Sequence, residues 1–361
     1  MGSGGSLQRF SPIRGPIMKT CKRTEAQSRR TFLKQAGCMT AMLGLAAARL
    51  FSLKKSNLAK EPEAGSVFQY RTVSIRRLDE LREWMDKLEM SGRLSSNKTW
   101  RKYIQSFQYA APQSLAQARS LVIMATPLKI AKIIFIDGGQ KHTVMIPSGY
   151  VDDGLKLADY HNMLFQNRII EKGRKLEMAR LPLKQLAVRS GLAVYGKNNI
   201  TFIDGYGSFH ALLAFYTDQV LEDHWGRLKM LRLCKGCSIC LKECPTRAIR
   251  ENDFVIDPAR CITLYNELPE PMPAWIPASA HNALVGCLKC QYTCPGNEDV
   301  IQGQWDLGEV SEAETSLLLD GRSDAAMESS LRSQLKRIGG GDNLPYIARN
   351  LKLILNARAG R

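Results

Sequence analysis

The chain lacks several features that would assign it to a broad class at once. No apolar run approaches the about 20 residues that a membrane-spanning helix needs; the leader-like stretch Ala36–Ala48 has thirteen. No internal repeat is visible beyond two runs of cysteine, so the chain is not a repeat array. The folded body also lacks a strong charge of one sign. The net charge of +17 is concentrated at the start, where residues 1–60 hold twelve Lys/Arg against the single acidic Glu25. The remaining 301 residues carry 39 basic and 33 acidic groups, an excess of only +6. That distribution argues against nucleic acid as a partner of the folded part. With 44% hydrophobic and 24% charged residues, a globular chain of one large or two smaller domains is expected.

Ser28-Arg29-Arg30-Thr31-Phe32-Leu33-Lys34 matches the twin-arginine export signature, and Ala46-Ala47-Ala48 offers a cleavage site before Arg49. The expectation is a leader over 1–48 that engages the twin-arginine translocation machinery. It would place the protein in the periplasm or at the outer face of the cytoplasmic membrane. Residues 49–65, with Pro62 and Gly65, read as a linker.

Further along, Leu78, Leu81, Met85 and Leu88 recur at helical spacing, and Ser120–Ala125 is a short apolar run that predicts a buried strand. Lys132–Ile136 and His142–Ile146 flank Asp137-Gly138-Gly139, a hairpin pattern. Leu181–Arg189 reads as a helix ending at Gly191, Ile200–Asp204 as a strand, and Ser208 as the cap of a helix through Tyr216. Strands and helices alternate, so an α/β or α+β sheet domain is predicted over 66–230. Ser311-Glu312-Ala313-Glu314 is a capping box. Met327, Leu331, Leu335 and Ile338 form a helical stripe stopped by Gly339-Gly340-Gly341, giving a helical extension over 301–361.

Eight of the ten cysteines lie between Cys234 and Cys294. Cys234-x2-Cys237-x2-Cys240-x3-Cys244-Pro245 is a bacterial ferredoxin run, in which three thiolates wrap one iron–sulfur cube and the fourth ligates another. Cys287-x2-Cys290-x3-Cys294-Pro295 is one cysteine short, and Cys261 supplies the eighth thiolate. Crossover pairing assigns Cys234, Cys237, Cys240 and Cys294 to one [4Fe–4S] cluster, and Cys244, Cys261, Cys287 and Cys290 to the other. Zinc knuckles and disulfides compete for these cysteines, but the spacing favours two clusters in a module over 231–300. Electron carriage alone gives residues 66–230 nothing to do.

Leu186–Asn198 (LAVRSGLAVYGKN) resembles the Arg-Ala-Gly-Leu-Gly-Trp-Ile-Gly-Lys-Asn segment of epoxyqueuosine reductases, and Gly207-Ser208-Phe209 the turn that follows it there. Pro112–Leu115, Arg119–Val122 and Cys294-Pro295-Gly296-Asn297 extend the likeness over roughly 110–300 and to the reductive dehalogenases. The resemblance implies a nitroreductase-like sheet domain holding a cobalamin under Gly191, Gly196, Lys197, Asn198, Gly207, Ser208 and Phe209. Glycines there would let backbone approach a flat cofactor. Asp159-Tyr160-His161 is not the cobalamin-ligand motif, because Leu164 stands where Gly is required. The proton donor stays open between Glu177, reached by an ungapped count back from Gly191, and Tyr195 or Tyr206. The expected function is an exported reductase. It would pass electrons from an unidentified donor through two clusters to a corrinoid and cleave a small organic substrate. The alternatives are an exported electron-transfer protein without corrinoid and a cytoplasmic tRNA-modifying enzyme like the epoxyqueuosine reductases.

Overall fold

The computed structural model describes residues 68–151, 156–301, 304–321, 331, 335 and 340–359. All lie in the second of the chain's two units, Pro62–Arg361. The twin-arginine motif, the linker, Met327 and Ile338 fall outside the described residues. The strands are β1 (Gln69–Ser74), β2 (Ser120–Pro127), β3 (Ala131–Asp137), β4 (Gln140–Ile146), β5 (Leu176–Met178), β6 (Val194–Tyr195), β7 (Thr201–Phe202), β8 (His210–Thr217) and β9 (Trp305–Val310). The helices are α1 (Leu78–Met90), α2 (Lys98–Gln105), α3 (Leu157–Gln166), α4 (Leu183–Arg189), α5 (Ile239–Glu243), α6 (Ile262–Asn266), α7 (Lys289–Tyr292), α8 (Glu312–Leu319) and α9 (Gly340–Arg358).

The main sheet has the order β1-β2-β8-β5, antiparallel throughout. β2 is apolar at consecutive positions because both of its faces are covered. Leu121, Ile123 and Ala125 pack with Leu81 of α1 and with Leu186 and Val188 of α4. Val122 and Met124 point the other way, onto Tyr160 and Leu164 of α3. Each such side chain contributes about 1.5–3 kcal/mol by leaving water.

β8 corrects the helix expected after Ser208. His210–Thr217 is a strand, with Ser120 opposite Thr217 and Pro127 opposite His210. An apolar run of this length carries no decisive period, and its position between β2 and β5 decided the outcome. The strand expected at Ile200–Asp204 is shorter, reduced to β7.

A second sheet, β4-β3-β9, joins two distant stretches of chain. The β3–β4 hairpin turns through Gly138 (φ +56°) and Gly139 (φ +72°), a conformation open to glycine at little cost. β9 then pairs parallel to β3. The segment 301–361 is therefore not a purely helical extension. Its strand and α9 bury Leu307, Val310, Leu351 and Ile354 against Ile133 and Phe135. Ser311 caps α8 as expected, accepting from the Glu314 backbone N–H while Glu314 accepts from the Ser311 N–H at 3.0 Å. Gly340 and Gly341 open α9, while Gly339 and most of the expected stripe fall outside the described residues.

Candidate active site

The eight described cysteines are free thiols. The structure brings together the four of each expected group around a separate cavity. Cys234, Cys237, Cys240 and Cys294 line a small one of about 20 Å³. Cys244, Cys261, Cys287 and Cys290 form one wall of a chamber of about 490 Å³. Burial first, then Cys234, Cys294 and Cys237, push the Cys240 thiol up to about 11. Burial and the neighbouring Cys261 and Cys244 likewise outweigh hydrogen bonds to Cys287 and push its thiol up to about 11. Burial, with Cys287 and Cys261, holds Cys290 well above its ordinary value. Four sulfurs crowded in this way favour thiolate only with cationic iron between them. Among the described residues no group of three or more His, Cys, Asp or Glu side chains converges on a single ion. A four-iron cube spreads its ligands over a larger volume.

N–H groups reach sulfurs in both quartets. The Lys197 backbone N–H donates to Cys234 Sγ at 3.3 Å, the Ala248 N–H to Cys244 Sγ at 3.2 Å, and Asn282 Nδ2 to Cys287 Sγ at 3.2 Å. Such bonds stabilise the more reduced, more negative cluster and raise its potential.

The segments expected to cradle a cofactor mostly fasten the sheet domain to the cysteine module. Lys197 Nζ donates to the Cys237 carbonyl at 2.7 Å, and Asn198 Nδ2 to the Cys290 carbonyl at 3.2 Å. The Ser208 N–H donates to Asn297 Oδ1 at 2.8 Å, and Asn297 Nδ2 returns a bond to Ser208 Oγ at 2.8 Å. Phe209 packs with Ile130, Ala283 and Leu288. A Cβ on Gly196 would meet Asn198 Oδ1 at 2.5 Å, and one on Gly207 would meet Asn297 Oδ1 at 2.5 Å. These two glycines thus admit protein. Gly191 (φ +77°) is exposed beyond the end of α4, where its N–H donates to the Val188 carbonyl. Of the seven, only Asn198 and Ser208 also border the chamber.

Besides the inner cysteines, the chamber is lined by Trp84 and Leu88 of α1, Trp100 and Tyr103 of α2, and the start of α4. Gln185 is buried there, and its side-chain O and N both lack a partner, as does Trp100 Nε1. The surface of Lys184 faces the chamber, and its Nζ donates to the Asn199 carbonyl at 3.1 Å. Although Lys184 is exposed to the open chamber, the surrounding walls desolvate its ammonium and push its pKa down, while Cys261 and Cys290 pull it back. Tyr150 also reaches the chamber, with its hydroxyl donating to Glu267. Burial raises the pKa of both partners. Sequence reasoning missed this pair, since a lone Tyr and a lone Glu carry no spacing signal.

The three proton-donor candidates separate. Tyr195 borders the chamber, is buried against Phe254 at 5.1 Å between ring centroids, and has its pKa raised by burial. Tyr206 is half-buried outside it. Glu177 lies on β5 in a different pocket of about 300 Å³, where it accepts from Ser114 Oγ.

Comparison with known proteins adds to this geometry. The family of 4Fe-4S double cluster binding domains matches residues 233–297. The epoxyqueuosine reductase of Cyclobacterium marinum is 30% identical over 193 residues, covering 53% of this chain and 56% of its own. That of Synechococcus is 30% identical over 201 residues, covering 48% and 61%. The chain thus spans about half the length of the curated relatives it matches. Among solved structures, the epoxyqueuosine reductase of Streptococcus thermophilus superposes with a TM-score of 0.55 at 17% identity, covering 80% of this chain and 77% of the other. An epoxyqueuosine reductase solved with a modified tRNA-Tyr stem loop gives 0.53 at 19%, with the same coverage. The chain shares their mixed α/β fold and carries a double cluster domain near its C-terminal end.

These relatives overturn the exported-reductase reading. The relatives named above are epoxyqueuosine reductases, and one of the solved structures holds a tRNA stem loop. Export through the twin-arginine machinery, a periplasmic location and a small organic substrate receive no support, and the argument against nucleic acid does not hold. A net charge of +6 over the body gives only a sum and says nothing of how that charge is placed on its surface.

Proposed function

We propose that the chain is an iron–sulfur reductase acting on a modified base in tRNA, in the manner of the epoxyqueuosine reductases it resembles. The observation that carries this reading is the shared wall: the chamber is bounded directly by Cys244, Cys261, Cys287 and Cys290. Two clusters would supply electrons singly, and one of them would stand at the edge of the substrate's site. The aromatic walls at Trp84, Trp100 and Tyr103 suit a flat base, on which stacking contributes about 1–3 kcal/mol. The partnerless amide of Gln185 offers a donor and an acceptor to its edge. Tyr195, or Tyr150 backed by Glu267, can hold the proton that reduction consumes. Such an enzyme would work in the cytoplasm, where tRNA is modified.

The same chamber fits a corrinoid better than the glycine segments do. In a corrinoid-loaded chamber, Gln185 and Trp100 Nε1 would meet its amide side chains and the apolar walls its ring, in place of the base contacts above. When bound, a corrinoid supplies a metal that can be reduced to a strong nucleophile. The helix cover on both faces of the main sheet supports the nitroreductase-like reading of that domain.

The test uses anaerobically reconstituted protein, a chemical reductant and an epoxyqueuosine-containing tRNA anticodon stem loop, with and without cobalamin. Conversion to queuosine, lost in Gln185→Leu, is the expected result. Full clusters with no conversion under either condition would refute the proposal. Conversion without cobalt uptake would remove the corrinoid alone.

A further inference from the structure

The outer quartet has a surface around it that the reaction in the chamber does not use. Leu233 and Ile239 line the cavity of Cys234, Cys237, Cys240 and Cys294, yet are 54% and 38% exposed. Met230, 43% exposed, precedes them, and Tyr292, also 43% exposed, sits on α7, which packs against α5. Around these apolar side chains the charge is uneven. Residues 227–243 contain Arg227, Lys229, Arg232, Lys235 and Lys242 against Glu243 alone, and all six are exposed. Among the described residues none of the five cations is engaged in a salt bridge. Glu298 and Asp299 are the exposed acids on the adjoining segment. The segment therefore holds most of the +6 excess of the folded body.

We infer that this face docks an acidic one-electron carrier protein of the ferredoxin class, delivering electrons to the outer cluster. A small apolar centre with a cationic rim is the anatomy of a transient electrostatically steered contact. Three of the four exposed apolar side chains are non-aromatic, with Tyr292 the one aromatic, which favours a protein over RNA, whose bases would ask for several stacking platforms. Each encounter oxidises the carrier by one electron and reduces one cluster by one; two encounters supply a two-electron reduction. The inference rests on the cluster reading and on no property of the substrate.

The experiment follows bleaching of cluster absorbance in anaerobic holoprotein mixed with a reduced acidic [2Fe–2S] ferredoxin, without tRNA. The second-order rate should fall steeply as salt rises. In Arg232→Glu/Lys242→Glu it should fall at least about tenfold at low salt. Photoreduction by a neutral deazaflavin should be unchanged, which shows intact clusters. A salt-independent rate, or an unaltered rate in the double variant, would overturn the inference. So would a variant that loses tRNA stem-loop binding while keeping the ferredoxin rate. Failure of tRNA conversion alone would leave this measurement standing, so the two proposals fail separately.

Discussion

The two cysteine quartets are built from similar sequence runs yet face different surroundings. The inner one borders a chamber walled by α1, α2 and α4, and it includes Cys261, from outside both runs. The outer one is formed by residues closer to the surface, behind the exposed Leu233 and Ile239. Repeating a ligand motif therefore does not repeat its role. On the proposed reading, position relative to solvent and to the chamber would separate an entry point for electrons from the place where they are spent.

Replacing one ligand in each quartet gives the largest expected effect. Cys261→Ala should lower iron from about eight to about four atoms per chain and abolish tRNA conversion with any reductant. Cys294→Ala should lose the same amount of iron but keep conversion driven by a small reductant. Iron analysis with paired assays checks both, and identical activity losses would erase the distinction between the quartets. The next effect is structural. Gly207→Leu forces a side chain onto Asn297 Oδ1 and Val300 at a φ of +55°, so the seam beside Cys294 should open. Loss of outer-cluster iron together with a lower Tm is expected; normal iron would show that the seam does not support that cluster.

A smaller effect belongs to His281, on the inner side of the module. Burial, and then Arg349, push its pKa down to about 4. Its contribution to stability is therefore complete above the unfolded value of about 6.5 and is lost as pH falls toward 4, up to about 3 kcal/mol. In His281→Gln the acid limb of the stability–pH curve should be shallower, read by denaturant unfolding of anaerobic protein. The smallest is Ser311→Ala, which removes a helix cap far from either quartet. It should cost about 1 kcal/mol and leave iron content untouched.

What the sequence made legible follows from how each feature is encoded. Cluster ligands need one residue type at fixed spacing, so the eight thiols stood out, and even Cys261 could be reached by counting. The chamber could not, because Trp84 and Leu88 on an amphipathic helix look like ordinary core until the rest of the lining is known. Asn198 and Ser208 were noticed through resemblance, but their bonds to Cys290 and Asn297 depend on contacts across nearly a hundred residues. β8 was misread because its apolar run fits either element. The Arg29-Arg30 motif was read in isolation, without the relatives that point elsewhere.

The parallel pairing of β9 with β3 also bears on how the chain is made. Emerging from the ribosome, β3 can close its hairpin with β4 at once, but its other edge stays open until Trp305 has been synthesised. The same strand carries Ile133 and Phe135 on one face, fully buried in the finished protein. The whole cysteine module is translated during this interval. A chain that stalls or is cut just after Cys294 would hold every cluster ligand and still present a bare, sticky strand. Expression trials that trim the end as a dispensable tail should therefore yield brown, iron-loaded aggregates in place of soluble enzyme.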